Sequence, residues 1–66
     1  MINITTEFIT LAGFLKLTNM IGSGGEAKIF LRLNDVEVNG EKETRRNRKL
    51  YKGDKITVNG EEFIIS

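Results

Sequence analysis

Val36-Glu37-Val38-Asn39-Gly40 and Ile56-Thr57-Val58-Asn59-Gly60 each carry an apolar–polar–apolar alternation straight into Asn-Gly. Alternation at period two puts Val36 with Val38, and Ile56 with Val58, on one face of an extended strand. Asn-Gly accepts the two successive positive φ angles of a two-residue turn whose twist matches its flanking strands. Each stretch therefore predicts a β-hairpin. The first return strand is expected over residues 41–44, and the closing strand over residues 62–65. Between the hairpins, Leu50-Tyr51 is a short apolar segment, followed by a Gly53-Asp54 turn. The C-terminal half reads as β throughout.

Upstream, the period changes. Thr10 is an N-cap for a helix over about residues 11–19. Leu11, Phe14, Leu15 and Leu17 project to one side of it and Lys16 to the other. Gly13 weakens the helix but permits close packing. Ile21-Gly22 is a tight connection. Ser23-Gly24-Gly25-Glu26 has the spacing of a capping box, which predicts a second helix over about residues 24–33. Ala27, Ile29, Phe30, Leu31 and Leu33 fill a broad apolar arc of that helix. Lys28 and Arg32, four apart, form its polar stripe and repel mildly. At the start of the chain, Ile2 and Ile4 flank Asn3 and predict a brief strand. The fold class is α+β: a helix pair packed on a small, mostly antiparallel sheet with β-hairpins.

The chain has 66 residues, which is one small domain over residues 1–66. Such a chain buries only about 60% of its unfolded surface, so the core is thin. Phe8, Phe14, Phe30 and Phe63 are assigned to it. There is no Cys, so disulfide staples and thiolate metal sites are excluded. With no His either, the common nucleophile–base pairs and zinc ligands are missing, and no cofactor or metal is implied. No residue set supplies catalytic groups, and the adjacent Glu61 and Glu62 face apart on an extended strand. An enzyme is not expected. No apolar run reaches the roughly 20 residues of a membrane span. Met1-Ile2-Asn3-Ile4 lacks the basic start of a signal peptide, so a cytoplasmic location is expected.

The formal net charge is only +1. Its distribution is uneven. Arg45, Arg46, Arg48, Lys49, Lys52 and Lys55 stand against Asp54 alone within residues 45–55. A near-neutral chain with its positive charge so concentrated has an electrostatic face. A solvated loop and an anion-binding surface both fit that cluster on charge alone.

Several motifs fall in register. Leu15-Lys16-Leu17 precedes Ser23-Gly24-Gly25-Glu26-Ala27-Lys28; Val36-Glu37-Val38-Asn39-Gly40 and then Gly53-Asp54-Lys55-Ile56 follow. This order resembles the S-four-type RNA-binding domain, or alpha-L motif, with the motif proper over about residues 10–56. The Ser-Gly-Gly-Glu-Ala-Lys stretch, with Arg45-Arg46-Asn47-Arg48-Lys49-Leu50-Tyr51 downstream, resembles its compact stand-alone YaaA-like members more closely still. The resemblance implies binding of structured RNA, ribosomal or transfer RNA, by the helix pair and the adjoining loop. Ribosome association, or a role in ribosome assembly, follows from it. It carries no catalytic activity, because the enzyme portions of larger relatives are not matched. Lys16, Ser23, Lys28 and Arg32 fall at the family's RNA-facing helical positions, and Arg45, Arg46, Arg48 and Lys49 in its basic loop. Gly24 stands where many members have Arg, so any contact made by that Arg is absent.

The residues themselves suit a phosphate backbone. Arg binds phosphate with two donors and Lys acts as a point charge. Gly24 and Gly25 either expose amide donors to a phosphate or simply permit a tight turn. Lys52 extends the basic stretch. Tyr51 covers the core edge or stacks on a base, and no companion aromatic is expected in position to form a stacking platform. Shape and phosphate recognition of folded RNA by a monomer is the leading expectation. The alternative is a protein-interaction adaptor docking its basic face on an acidic partner.

Overall fold

Both Asn-Gly turns form as the sequence predicts. Asn39 and Gly40 have φ of 53° and 87°, and Asn59 and Gly60 of 50° and 90°. In a computed structural model, which describes residues 2–66, these turns organise the main sheet. Its strands are β2 (Val36–Val38), β3 (Glu41–Lys42), β5 (Lys55–Val58) and β6 (Glu61–Ile64), in the order β3-β2-β5-β6. All of its pairs are antiparallel. Val36 lies opposite Val58 and Val38 opposite Ile56, and all four are buried. The alternation thus delivers one apolar face, which the helices cover.

A second, two-stranded sheet pairs β1 (Phe8–Thr10) with β4 (Lys49–Tyr51). The sequence reading has no strand at residues 8–10, because its partner lies some forty positions away and no local turn announces it. The strand expected around Ile2 and Ile4 is reduced to a single parallel bridge between Ile2 and Ile65.

Helix α1 (Leu11–Leu17) starts at Thr10, whose side chain accepts from the Gly13 amide. It ends two residues earlier than expected: the Thr18 amide closes the last turn and Asn19 follows at φ 63°. Leu11, Phe14 and Leu15 are buried, whereas Leu17, at the edge of the arc and the end of the helix, is exposed. Gly13 does allow close packing, since a Cβ there would lie 3.0 Å from Cγ1 of Ile9.

The second helix begins as a 3-10 turn over Gly24–Glu26 and becomes α2 (Ala27–Leu33). The capping box is rearranged. The Ser23 side chain caps no amide; instead Glu26 Oε2 accepts from the Gly22 amide at 3.2 Å and the Ser23 hydroxyl at 3.3 Å. A helix this short meets the core along one stripe, so Ala27 and Leu31 are buried while Ile29 and Leu33 are 58% and 74% exposed.

The core joins these parts: Leu11, Phe14, Leu15, Ile21, Ala27 and Leu31 from the helical half, with Val36, Val38, Leu50, Ile56, Val58 and Ile65 from the strands and C-terminus. Phe14 and Phe63 meet edge to face at 5.4 Å. Phe30 and Phe63 pack against this core; Phe8 lies outside it, on the β1–β4 ribbon. Among the described residues, no helix is long and apolar enough to cross a membrane.

Candidate nucleic-acid interface

The basic loop is fixed by its backbone before its side chains matter. The Glu43 amide donates to the Val36 carbonyl at 2.9 Å. The Arg46 and Arg48 carbonyls accept from the Ala12 and Leu11 amides at 2.9 and 2.8 Å. Those amides belong to the first turn of α1, which has no intrahelical partners for them. The loop therefore caps α1, and α1 in turn holds the loop.

Glu43 is the feature that sequence reasoning missed. It is only 6% exposed. Its Oε2 accepts from the Thr44 and Arg45 amides, both at 3.0 Å, and from Arg45 Nε at 3.1 Å. Its Oε1 accepts from Arg45 Nη2 at 3.1 Å and Arg48 Nη1 at 2.8 Å. This inward turn also explains why the first return strand stops at Lys42 rather than reaching Thr44. The side-chain hydrogen bond from Arg45 outweighs the desolvation that opposes it. With the Arg45 amide and Arg48 adding to it, the carboxyl is lowered from 4.5 to about 2. The signal in the sequence was an acid two residues ahead of Arg45-Arg46, just outside the cationic run.

The side chains then divide. Lys28 of α2 lines one open cleft of about 410 Å³ together with Thr44, Arg45, Arg46 and Asn47. The helix and the loop, distant in sequence, are thus brought to one place. Arg45 remains 72% exposed although it is forked onto Glu43. A guanidinium carries five donors, and the two that Arg45 gives to the Glu43 carboxylate leave three free. Arg48 is less exposed and points one nitrogen inward.

Lys16, Arg32, Lys49 and Lys52 are exposed but are not among the residues lining the cleft. Lys49 instead places its Nζ 4.8 Å from the centre of the Phe8 ring. Lys55 leaves the basic run altogether: it lies on β5 and pairs with Glu62 at 3.6 Å. Ser23, Gly24 and Gly25 form the exposed start of the second helix, with Glu26's carboxylate folded back onto Ser23 and Gly22. A Cβ on Gly24 would meet nothing within 4 Å, so crowding is not what calls for glycine there.

Tyr51 has an aromatic neighbour across the ribbon, at an angle that does not make a flat stacking platform. Phe8 is its register partner across the β1–β4 ribbon, with ring centroids 6.0 Å apart and planes tilted by 51°. Tyr51 is 45% exposed.

Comparison with known proteins places this arrangement in a class. A family model described as the S4 domain matches residues 2–66, and the chain belongs to that family. One relative is a probable ribosome maturation protein, RlbA, of Bacillus subtilis (strain 168). It is 54% identical over 59 residues, spanning 89% of this chain and 83% of the relative.

Proposed function

We propose that this protein binds structured RNA, without catalysing a reaction on it, and serves in ribosome maturation. The carrying observation is the cleft in which Lys28 of α2 meets Arg45 and Arg46 of the loop. Two cationic elements converging on one concave surface suit a bent phosphate backbone better than a single solvated loop does. Membership of the S4 domain family and the name of the Bacillus relative support the same reading. In this reading Lys28, Arg45 and Arg46 form the centre. Lys16, Arg32, Arg48, Lys49 and Lys52 extend the positive field around it, and Ser23, Gly24 and Gly25 edge it. The residues 1–66 act as one RNA-binding domain, as a monomer in the cytoplasm.

The test is a titration of purified protein against ribosomal RNA and an equal-length DNA duplex at two salt concentrations. For about five phosphate contacts, log affinity should fall with log salt at a slope of about −3.5 to −4.5. Lys28→Glu and Arg46→Glu are the informative variants, because neither side chain is tied to Glu43. Each should weaken RNA binding at least tenfold while the protein stays folded. Salt-insensitive binding, or equal affinity for RNA and DNA that both variants retain, would sink the proposal. An association with ribosomal material that survives nuclease treatment would point instead to an acidic protein partner.

A further inference from the structure

We infer that Glu43 is a positioning residue for RNA: it holds the basic loop in its binding shape, so removing this negative charge weakens RNA binding rather than strengthening it. The inference rests on the RNA-binding reading above.

Simple electrostatics predicts the opposite sign. An acid beside Arg45, Arg46, Arg48 and Lys49 lowers the local positive potential, and its loss should help bind a polyanion. The geometry argues against that. Glu43 receives five hydrogen bonds, two from backbone amides and three from guanidinium groups. It thereby fixes the path of residues 43–45 and the direction of two arginines. Four cations within five residues repel one another, and Glu43 is the counterion paired with two of them, Arg45 and Arg48.

The pairing does not consume the arginines. Arg45 gives two donors to the carboxylate and Arg48 gives one, so both retain donors for phosphate oxygens. Arg45's fork is already oriented, and it stands on the rim of the cleft it shares with Lys28. Without Glu43 the loop must be ordered at the moment of binding, and that ordering reduces affinity. Glutamine cannot substitute fully. Its amide nitrogen would face donors, leaving one side of the five-bond arrangement without an acceptor.

The experiment compares Glu43→Gln, Glu43→Asp and Glu41→Gln with the wild type in the ribosomal RNA titration. Glu41 is exposed on β3, two residues away, so Glu41→Gln makes the same charge change without touching the loop. All titrations run at low temperature in sucrose, which favours the folded state, with sheet amide signals in an NMR spectrum reporting the folded fraction. Folded Glu43→Gln should bind about tenfold more weakly than wild type. Its salt slope should be shallower by about 0.7–0.9 for each phosphate that the loosened loop no longer neutralises. Glu43→Asp, which keeps the charge on a shorter arm, should recover part of the affinity, and Glu41→Gln should bind as tightly as wild type or more tightly. If folded Glu43→Gln binds as well as Glu41→Gln does, the inference is overturned and the RNA-binding reading stands. If the wild type shows no salt-dependent RNA binding, the RNA-binding reading fails and takes this inference with it.

Discussion

Asn39 and Asn59 each perform two tasks. Their backbones take the left-handed conformation of the turn, and their side chains reach across to a neighbouring strand or its approach. Asn39 Oδ1 accepts from the Lys55 amide at 2.9 Å, and Asn59 Oδ1 accepts from the Asp35 amide at 2.9 Å. Asn39→Ala should therefore destabilise by about 1–2 kcal/mol, from the missing hydrogen bond together with left-handed strain. Asn39→Gly relieves the strain and should lose less; urea unfolding of the pair separates the two contributions. The backbone task could be seen in the Asn-Gly pair itself, whereas the side-chain task could not, because its partners sit 16 and 24 residues away. Glu43 gives a second residue-scale prediction. Its carboxyl titrates near 2 when folded against 4.5 ordinarily, so it contributes stability that is complete above about pH 4.5 and lost as pH falls toward 2. The thermal midpoint of the wild type should drop through that window more steeply than that of Glu43→Gln. Parallel curves would show that Arg45 and Arg48 do not hold the carboxyl ionised.

Helix α2 presents three stripes: a buried one of Ala27 and Leu31, a basic one of Lys28 and Arg32, and an exposed apolar one of Ile29 and Leu33. Binary patterning showed that the helix exists but merged its two apolar stripes into one arc. Which of them meets the core is settled by the rest of the fold, and the helix's own sequence does not encode it. Leu31→Ala should cost about 2–4 kcal/mol, as a buried truncation does, and Leu33→Ala less than about 0.5 kcal/mol. Chemical denaturation of both variants checks this, and equal losses would contradict the packing described. The β1–β4 ribbon makes the complementary case. Leu50 is its fully buried residue, and β4 directly follows the basic loop. Leu50→Ala should loosen the loop as well as the core, seen as faster amide exchange at Leu11 and Ala12, whose amides donate to that loop.

At the scale of the whole molecule, a 66-residue chain without a disulfide relies on a single modest core. A ligand that binds only the folded state then has a large relative effect. RNA at a hundred times its dissociation constant should add about 2.7 kcal/mol, a rise in thermal midpoint of roughly 10–20 °C for a domain of this size. The rise should vanish at high salt; a rise that persists there would argue against phosphate contacts as its source. The helix pair and the hairpins were readable because their signals are local. The cleft was readable only as two separate basic stretches, since the meeting of α2 and the loop is made by the fold. The ends of the chain show the same dependence on distant partners. Ile2 bridges Ile65, its amide donates to Ile64, and Ser66 returns a bond to the Ile2 carbonyl at 2.7 Å. The two end segments thus hold each other through backbone hydrogen bonds. A permutant of residues 1–66, with a short linker joining these two segments and the chain opened at Asn59-Gly60 instead, should keep both sheets and carry its ends at the β5–β6 turn.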